Sequence, residues 1–337
     1  MRIYYHLSEY ISHRRAGEAY IVCLKSLGHD LVGDPEKSDL IIVHEAPHHY
    51  PAILRDMPRP SGCKVVGYGV WETPQLPRLF VDGVRCVDAV WTASAFSCRA
   101  FSPHVRTHVL PHVVERPKVS RDDMAWAMAR LGITGKHRDA RRIFYFYTIV
   151  DTVNPRKDIA TLLTAFAAAF PLAEDNVRLV VKQYRKPQNL EGLSHLIDIP
   201  EDLSDGRIAA LHAVCDAYVS THHAEAWGLP LSEALSFGNP VIATGYSGNM
   251  EFMTEENSFP VPYTIESVTE KMCLALPHLF SQDMTWADID TAAFMQILRK
   301  IRTRPVSTEF RARVAASMKP FSSEAIAGRL HSLLQLL

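Results

Sequence analysis

The sequence of 337 residues lacks an excess of charge of either sign and lacks a long apolar run. Its 36 lysine and arginine residues stand against 37 aspartate and glutamate residues, which gives a formal net charge of -1. Because no broad field surrounds such a chain, we expect no nucleic-acid-binding surface, and any anion site has to be local. The longest apolar stretch, residues 162–173, contains Thr164 and Pro171 and is shorter than the ~20 residues that span a bilayer. It is therefore predicted to be a core helix.

Cysteine is infrequent and shows no paired spacing. Six cysteines occur without a C-x-x-C motif, which is typical of buried thiols in a reducing compartment. The opening MRIYYHLSEY lacks the basic and apolar segments of a secretory signal. We therefore expect a cytoplasmic protein without an integral membrane segment, which is compatible with peripheral contact at the inner face of a membrane. No G-x-G-x-x-G follows the first apolar run and no Walker A sequence occurs, so a nicotinamide dehydrogenase has little support.

What is present is the composition of an ordinary globular protein, 47% hydrophobic and 22% charged. This composition excludes collagen-like, coiled-coil and wholly disordered chains, and the length favours about two domains. Short apolar runs alternate with amphipathic segments, as in parallel α/β sheets. The runs form two sets, at residues 2–6, 39–45, 64–72, 89–94 and 106–111, and at residues 142–148, 177–183, 216–222 and 240–245. Two doubly wound α/β domains are predicted.

The polar stretch at residues 113–141 separates the two sets and is the predicted domain boundary, with one helix at residues 122–131. The tail at residues 322–337 places apolar residues at helical spacing after a serine cap, which predicts a packed terminal helix. The predicted units are residues 1–115, residues 116–320 and the terminal helix at residues 321–337.

Charged residues follow the strands of the second set, where parallel sheets bind ligands. Asn154 and Pro155 suit the start of a helix whose first turn would contain Arg156 and Lys157. Two cations beside the positive end of a helix dipole are unfavourable unless an anion binds there, although a solvated helix start is the alternative. Lys182 ends the next buried run, where it either faces the same anion or extends along apolar surface to the rim of the sheet.

The densest pattern is H-A-E-A-W-G-L-P-L-S-E-A-L-S-F-G-N-P, after the strand at residues 216–222. Glu225 is predicted in a loop before a helix, and Glu233 in the first turn of that helix, where a carboxylate also has a purely structural explanation. Gly228 allows a ligand to approach the backbone closely. A second loop-to-helix turn at Ser247, Gly248 and Asn249 could form a nest of backbone N–H groups.

The run from Glu225 to Glu233 resembles the E-x7-E signature of retaining glycosyltransferases of family 4. Shared residues, besides the two glutamates, are Trp227, Gly228, Leu229, Pro230, Ala234, Gly238, Pro240, Val241, Gly248 and Glu251. Arg156 and Lys157 match the R-K pair of that family's donor domain. In the first domain, Gly17 matches a glycine preceding a helix, and DLIIVHEAP and KVVGYGVWETPQLP look like strands lining the cleft.

The resemblance implies a GT-B fold: two facing Rossmann-like domains, with the active site between them and a C-terminal helix crossing back to the first domain. It implies that Arg156, Lys157 and Lys182 neutralise the diphosphate of a nucleotide sugar and that Glu233 binds the ribose hydroxyls. Glu225 and Lys157 would be catalytic. The sugar and its diphosphate would also contact Ala226, Trp227, Gly228, Leu229, Ser247, Gly248 and Asn249, with Gly17 in a diphosphate loop of the first domain.

The implied function is metal-independent, retaining transfer of a hexosyl group from a UDP- or GDP-type donor to a hydroxyl acceptor, such as a growing glycan or glycolipid in polysaccharide biosynthesis. No cofactor is expected, since the nucleotide sugar is a substrate. A sugar-nucleotide epimerase or hydrolase on the same fold, and a non-catalytic sugar-nucleotide binder, remain alternatives.

Two positions depart from the family pattern. Asp151 and Thr152 stand near the usual place of a further Arg, and Trp71 and Glu72 stand near the usual place of a first-domain His. We therefore expect Glu72, Trp71 and His44 on the acceptor side. The letters His44-Glu45-Ala46-Pro47-His48 fit the H-E-x-x-H zinc motif, but that motif requires a helix, and the preceding strand and the proline argue against one.

Overall fold

A computed structural model describes residues 1–133, 143–172, 175–190 and 195–337 of the chain. Parts of three predicted segments, 113–141, 142–148 and 162–173, lie outside these ranges. Among the described residues, no helix has both the length and the apolar character needed to cross a bilayer.

Two sheets of six parallel strands form the described structure, together with one antiparallel pair. The strands of the first sheet are β1 (Arg2–Leu7), β2 (Asp30–Leu31), β3 (Leu40–His44), β4 (Lys64–Tyr68), β5 (Ala89–Thr92) and β6 (Thr107–Val109). Those of the second are β7 (Phe144–Val150), β8 (Val177–Gln183), β9 (Leu196–Ile199), β10 (Ala217–Ser220), β11 (Val241–Thr244) and β12 (Phe259–Val261). The antiparallel pair is β13 (Tyr263–Ser267) with β14 (Thr285–Ile289).

Helices cover both faces of the sheets. Their bounds are α1 (Ile11–Ser26), α2 (Tyr50–Arg55), α3 (Arg78–Val84), α4 (Ala95–Phe101), α5 (Arg121–Arg130), α6 (Ile159–Ala169), α7 (Asp205–Val214), α8 (Leu229–Ser236), α9 (Glu270–Ala275), α10 (Thr291–Thr303), α11 (Thr308–Ser317) and α12 (Ser323–Leu334). Short 3-10 turns occur at Pro35–Lys37, Pro47–His49, Pro155–Lys157, Ser247–Glu251 and Lys319–Phe321.

The strand order places one topological switch point in each sheet. The first sheet has the order β2-β1-β3-β4-β5-β6, so the chain changes direction between β1 and β3. The second has the order β12-β11-β10-β7-β8-β9, so its change of direction lies between β7 and β10. Ligands of open α/β sheets bind in the crevice beyond the carboxyl ends of the strands at such points. The fold therefore provides one candidate crevice on each sheet.

The nine predicted strands are all present, and the central ones are apolar runs buried on both faces. Every residue of β3 and β7 is buried, as expected for strands covered by helices. The sequence pattern missed β2, β9 and β12, which have two, four and three residues. It also missed the antiparallel pair, in which every residue of β13 is exposed. Helix α5 and the terminal helix α12 lie where they were expected, and Ser322 caps α12.

Two segments cross from one half of the chain to the other. Helix α12 packs its apolar face, including Ile326 and Leu330, on Tyr20 and Leu24 of α1. The segment from β13 to β14 carries α9 onto the first sheet, where it shares a core cluster with Trp71. The two halves are therefore joined by packed apolar surface as well as by the connecting chain.

Gly17 lies inside α1, and the expectation that it precedes this helix in a loop is wrong. Helix α1 begins at Ile11, six positions earlier. A side chain at Gly17 would press against His44 and Leu7, so the glycine lets α1 pack closely on β1 and β3. The glycine at position 17 therefore reflects close packing between a helix and a sheet, and not a loop.

Gly83 provides a test of the packing between α3 and the 3-10 turn at Pro47–His49. A methyl group at Gly83 would overlap the backbone oxygen of Pro47. We expect Gly83→Ala to lower the free energy of unfolding by about 1–3 kcal/mol, the usual range for overpacking. Gly328→Ala is the matched control, because Gly328 lies exposed in α12 with open space around it. It should raise the free energy of unfolding by about 0.5–1 kcal/mol. Urea denaturation measures both, and equal responses would contradict the packing.

Candidate active site

The basic pair lies in its own turn beyond the carboxyl end of β7. Pro155–Lys157 forms a 3-10 turn that Asn154 caps, its side-chain oxygen accepting from Arg156 N at 3.1 Å. Asp158 then adopts a left-handed conformation and caps α6, which begins at Ile159. The expected cap at Asn154, with Arg156 and Lys157 in the turn that follows, is confirmed, but the helix is a single 3-10 turn, because the chain bends at Asp158 before α6 starts.

Glu225 lies beyond the carboxyl end of β10, in a loop fixed by backbone contacts. Its N–H donates to Ser247 Oγ at 2.8 Å, and its carbonyl accepts from Gly248 N at 2.7 Å. A side chain at Gly248 would overlap the backbone oxygen of Ala226, so this position admits only glycine without displacement of the loop. Of the nest expected at Ser247, Gly248 and Asn249, the Gly248 N–H already has the Glu225 carbonyl as its partner.

The turn and the loop bring four charges together. Lys157 Nζ contacts Glu225 Oε1, and Arg156 Nη1 lies 3.2 Å from Glu225 Oε2. The same Arg156 nitrogen donates to the carbonyl of Ala224, and its Nη2 lies 3.3 Å from Glu72 Oε1. Glu72 comes from the first half of the chain, shortly after β4. The Arg156 guanidinium therefore joins carboxylates from the two halves.

These contacts set the protonation of the cluster. Burial opposes ionisation of Glu225, but Lys157 and Arg156 lower its pKa to about 2. Burial also opposes the charge of Arg156, yet Glu72 and Glu225 raise its pKa. The pKa of Lys157 is lowered by burial, which Glu225 counteracts. We conclude that Glu225 is ionised at neutral pH and that two basic side chains, Arg156 and Lys157, pair with it.

His222, in the same loop as Glu225, is a buried histidine that contacts Asn249 and Ser220. His222 is buried, and burial lowers its pKa to about 4. Its Nε2 lies 3.1 Å from Asn249 Oδ1, and its Nδ1 lies 2.9 Å from Ser220 Oγ. Since the Asn249 amide nitrogen donates to the Thr244 carbonyl at 2.9 Å, its oxygen is the acceptor and His222 carries its proton on Nε2. Asn249 thus orients the backbone around the site.

A cavity of about 760 Å3 lies between the two halves, beside Arg156 and Glu72. The first half lines it with residues that follow β1 and β3, at the switch point of the first sheet. The second half contributes Asn154, Arg156 and Arg185, and α9 with its following segment adds an apolar wall. The lining residues outside the charge cluster include Ser8, Glu9, Tyr10, His13, Glu45, His49, Met272, Leu276, Leu279 and Phe280.

Lys182 and Glu233 make other contacts than the ion pairs of Arg156. Lys182 is buried, donates to the carbonyl of Gln183 and lies 4.4 Å from the centre of the Tyr184 ring. Glu233 is the fifth residue of α8, so its expected place in the first turn is wrong. Its carboxylate lies 3.5 Å from His212 Nε2. Their binding to a donor stays a prediction.

The segment between Glu225 and α8 has a mixed role. Gly228 has a φ of 93° and caps α8, a left-handed conformation that favours glycine whether or not a ligand is near. Trp227 is buried against Phe252 and Phe321, and its Nε1 donates to Ser232 Oγ at 3.1 Å. Trp227 therefore packs on the 3-10 turn that leads into α12. Ala226 is buried and Leu229 is half-buried.

Of the residues expected on the acceptor side, Glu72 and Trp71 line the cavity, whereas His44 is buried and is not among the lining residues. The Trp71 indole donates to Thr73 Oγ1 at 2.7 Å. His44 ends β3, its Nδ1 lies 2.9 Å from the Tyr5 hydroxyl, and burial lowers its pKa well below the usual range. The H-E-x-x-H letters run from this strand into a 3-10 turn, so the helix of the zinc motif is not formed.

Sequence reasoning missed the cavity residues Ser8, Glu9, Tyr10, Glu45 and Arg185. Each follows a strand whose position was predicted, so the rule that ligands lie beyond carboxyl ends could have found them. Arg185 follows β8, lies 3.3 Å from Asp151 and stacks over the Tyr10 ring. These residues carry no motif of their own, which is why spacing alone did not identify them.

Comparison with known proteins gives the decisive observation for the second half. Residues 138–276 match the family model of glycosyl transferases group 1. The matched segment covers less than half of the chain and includes Arg156, Lys157, Glu225 and Gly248. The second half is therefore similar to this family, whereas Glu72 lies outside the matched segment. No curated relative matches the chain in sequence.

Solved structures share the fold over nearly all of this chain. Sucrose-phosphate synthase from Thermosynechococcus elongatus has a TM-score of 0.66 and 17% identity, over 99% of this chain and 98% of that one. HepE from Anabaena, in complex with UDP and glucose, has a TM-score of 0.60 and 17% identity, over 100% of this chain and 99% of that one. A TarM mutant from S. aureus, in complex with fondaparinux, α-GlcNAc-glycerol and UDP, has 0.61 and 13%, over 95% of this chain but 58% of its own. This chain thus spans about three fifths of TarM. At these identities the likeness shows the fold, which is GT-B as predicted.

The lowered pKa of Glu225 makes part of the stability of this domain depend on pH. Glu225 titrates near its ordinary value of 4.5 in the unfolded chain and near 2 in the folded chain. Its stabilising contribution is complete above about pH 4.5 and is lost as the pH falls toward about 2. We expect Glu225→Gln to be less stable than the native protein at neutral pH, and the difference to shrink over that acidic window.

Denaturant unfolding at a series of pH values measures this difference. Glu255→Gln is the control, because Glu255 is an exposed glutamate outside the ion pairs of Arg156 and Lys157. A difference between native protein and Glu225→Gln that stays constant from neutral pH to about 2 would contradict the ion pairs.

Proposed function

We propose that the chain is a retaining, metal-independent glycosyltransferase that moves a hexosyl group from a nucleotide-diphosphate sugar to a hydroxyl acceptor. The observation that carries this proposal is the contact of Arg156 and Lys157 with Glu225 at the switch point of the second sheet, beside a cavity lined by the first. The group 1 match in the same segment supports it. A growing glycan or a glycolipid is the proposed acceptor.

The donor would bind with its diphosphate against Arg156 and Lys157. Departure of a diphosphate builds negative charge on its oxygens, and fixed cations in a water-poor site stabilise that charge strongly. The two cations lie on one tight turn, which holds them in place before the reaction. The structures of HepE and TarM contain UDP, which favours a UDP-type donor over other bases.

In the proposed step, the bond between the anomeric carbon and the diphosphate oxygen breaks as the acceptor oxygen bonds to that carbon. The acceptor approaches from the face that the diphosphate leaves, which retains the configuration. A phosphate oxygen of the leaving group takes the proton of the acceptor hydroxyl. The electron pair of the broken bond remains on the diphosphate, beside the guanidinium and ammonium groups, so the step requires no metal ion.

Glu225 would stabilise the sugar during this step. The sugar ring becomes positively charged as the diphosphate departs, and an ionised carboxylate lowers the energy of that charge. The lowered pKa of Glu225 keeps it ionised, and the hydrogen bonds to Ser247 and Gly248 fix its backbone. The acceptor would enter through the cavity, where Glu72 and the apolar wall of α9 would contact it.

We expect Lys157→Ala and Glu225→Ala each to lower turnover by about 100-fold or more, the loss typical of removing a main electrostatic contact. Transfer of labelled sugar to acceptor measures this. The matched controls are Lys118→Ala and Glu255→Ala, which remove the same charges at exposed positions. Near-native transfer by both site variants would contradict the assignment.

The donor is identified first by thermal unfolding in the presence of UDP, GDP, ADP and dTDP sugars, because a bound ligand raises the unfolding temperature by mass action. A response to UDP-sugars supports the proposal, and no response to any of the four contradicts it. Incubation with the donor alone separates the alternatives. An epimerase or hydrolase converts the donor without acceptor, and a binding protein raises the unfolding temperature but converts nothing.

A further inference from the structure

The charges already paired around Arg156, including Glu72, oppose the binding of a further anion there. Arg156 is buried, and its guanidinium is already occupied by Glu225 on one nitrogen and Glu72 on the other. With Lys157, the cluster contains two positive and two negative groups. Each phosphate of a nucleotide diphosphate is an anion, so a diphosphate that joined this cluster unchanged would bring uncompensated negative charge into a partly buried site, which is costly.

Displacing one of the two carboxylates reduces this excess of negative charge when the diphosphate arrives. Glu225 is held by two backbone hydrogen bonds and by both cations, and its side chain is 8% exposed. Glu72 is 19% exposed, lines the cavity and, within the part of the chain that the structure describes, has Arg156 as its ion-pair partner. Displacing Glu72 breaks fewer interactions and moves its charge toward solvent in the cavity.

We propose that Glu72 occupies, in the nucleotide-free protein, the place on Arg156 that the donor diphosphate takes. Donor binding is then an exchange of one anion for another, and it breaks an ion pair between the two halves of the molecule. Glu72 is a positioning residue in this exchange: it keeps the guanidinium paired and oriented until the diphosphate replaces it. This inference rests on the proposed function, since it takes the cation cluster as the diphosphate site.

The exchange predicts that removing the charge of Glu72 strengthens binding of a diphosphate. We expect Glu72→Gln to lower the Kd for pyrophosphate and for UDP about tenfold, because a single competing charge at a partly screened site is removed. Isothermal titration calorimetry on the full chain measures both ligands. Pyrophosphate tests the exchange independently of the base, and UDP tests it with the nucleoside attached. A merely structural role for Glu72 would move affinity in the opposite direction.

Glu9→Gln is the matched control. Glu9 lines the same cavity, so Glu9→Gln removes the same charge from it. The ion pair of Arg156 in this cavity is with Glu72, and Glu9→Gln leaves that pair in place. Its Kd values should stay within about twofold of native, the change expected of a charge without direct contact. Glu72→Ala serves as the second variant if Glu72→Gln folds poorly, and it should show the same gain. Thermal unfolding without ligand establishes that each protein is folded.

The outcomes separate the two proposals. Tighter binding by Glu72→Gln or Glu72→Ala, with Glu9→Gln unchanged, supports the exchange. Equal or weaker binding by the Glu72 variants, or an equal gain in Glu9→Gln, overturns the exchange and leaves the proposed function standing. Failure of every folded protein, native included, to bind either ligand contradicts the proposed function and with it this inference.

Discussion

The guanidinium of Arg156 imposes the constraint on which the arrangement of the molecule depends. A buried charge has to be paired, and leaving one partner out costs several kcal/mol. Here the partners come from both halves, Glu225 from the second and Glu72 from the first. The Arg156 guanidinium thus links the two halves directly beside the cavity that residues of both halves line.

Hydrogen bonds to its backbone hold Glu225, the partner of Arg156 from the second half. Ser247 and Gly248 hold the loop of Glu225 through its own N–H and carbonyl groups, and Asn249 fixes His222 beneath it. Such contacts leave the carboxylate free to face charged groups while its main chain cannot shift. A site built this way is organised before any substrate binds, and stabilisation by such preorganised groups is usually the largest single contribution to enzyme catalysis.

Much of the fold was predictable because its central strands are apolar runs buried on both faces, as in β3 and β7. Strands β2 and β12 have two and three residues, too few for a pattern of their own, whereas the equally short β6 lies in the longer run at residues 106–111. The basic pair and Glu225 were found from their places after strands, but the bend at Asp158 was not, since it depends on a single left-handed residue. The pairing of Glu72 with Arg156 joins distant parts of the sequence, and no local pattern encodes it.

The two crossing segments described above also determine how the molecule comes apart. Helix α12 belongs to the second half in sequence but completes the core of the first, and α9 covers Trp71 of the first sheet. Neither half has its full apolar core without residues from the other. Cutting the chain between them would expose apolar surface on both pieces, an aggregation hazard. We therefore expect the two Rossmann-like halves to unfold as one cooperative unit, and movement between them to be limited to rotations that keep both crossing segments packed.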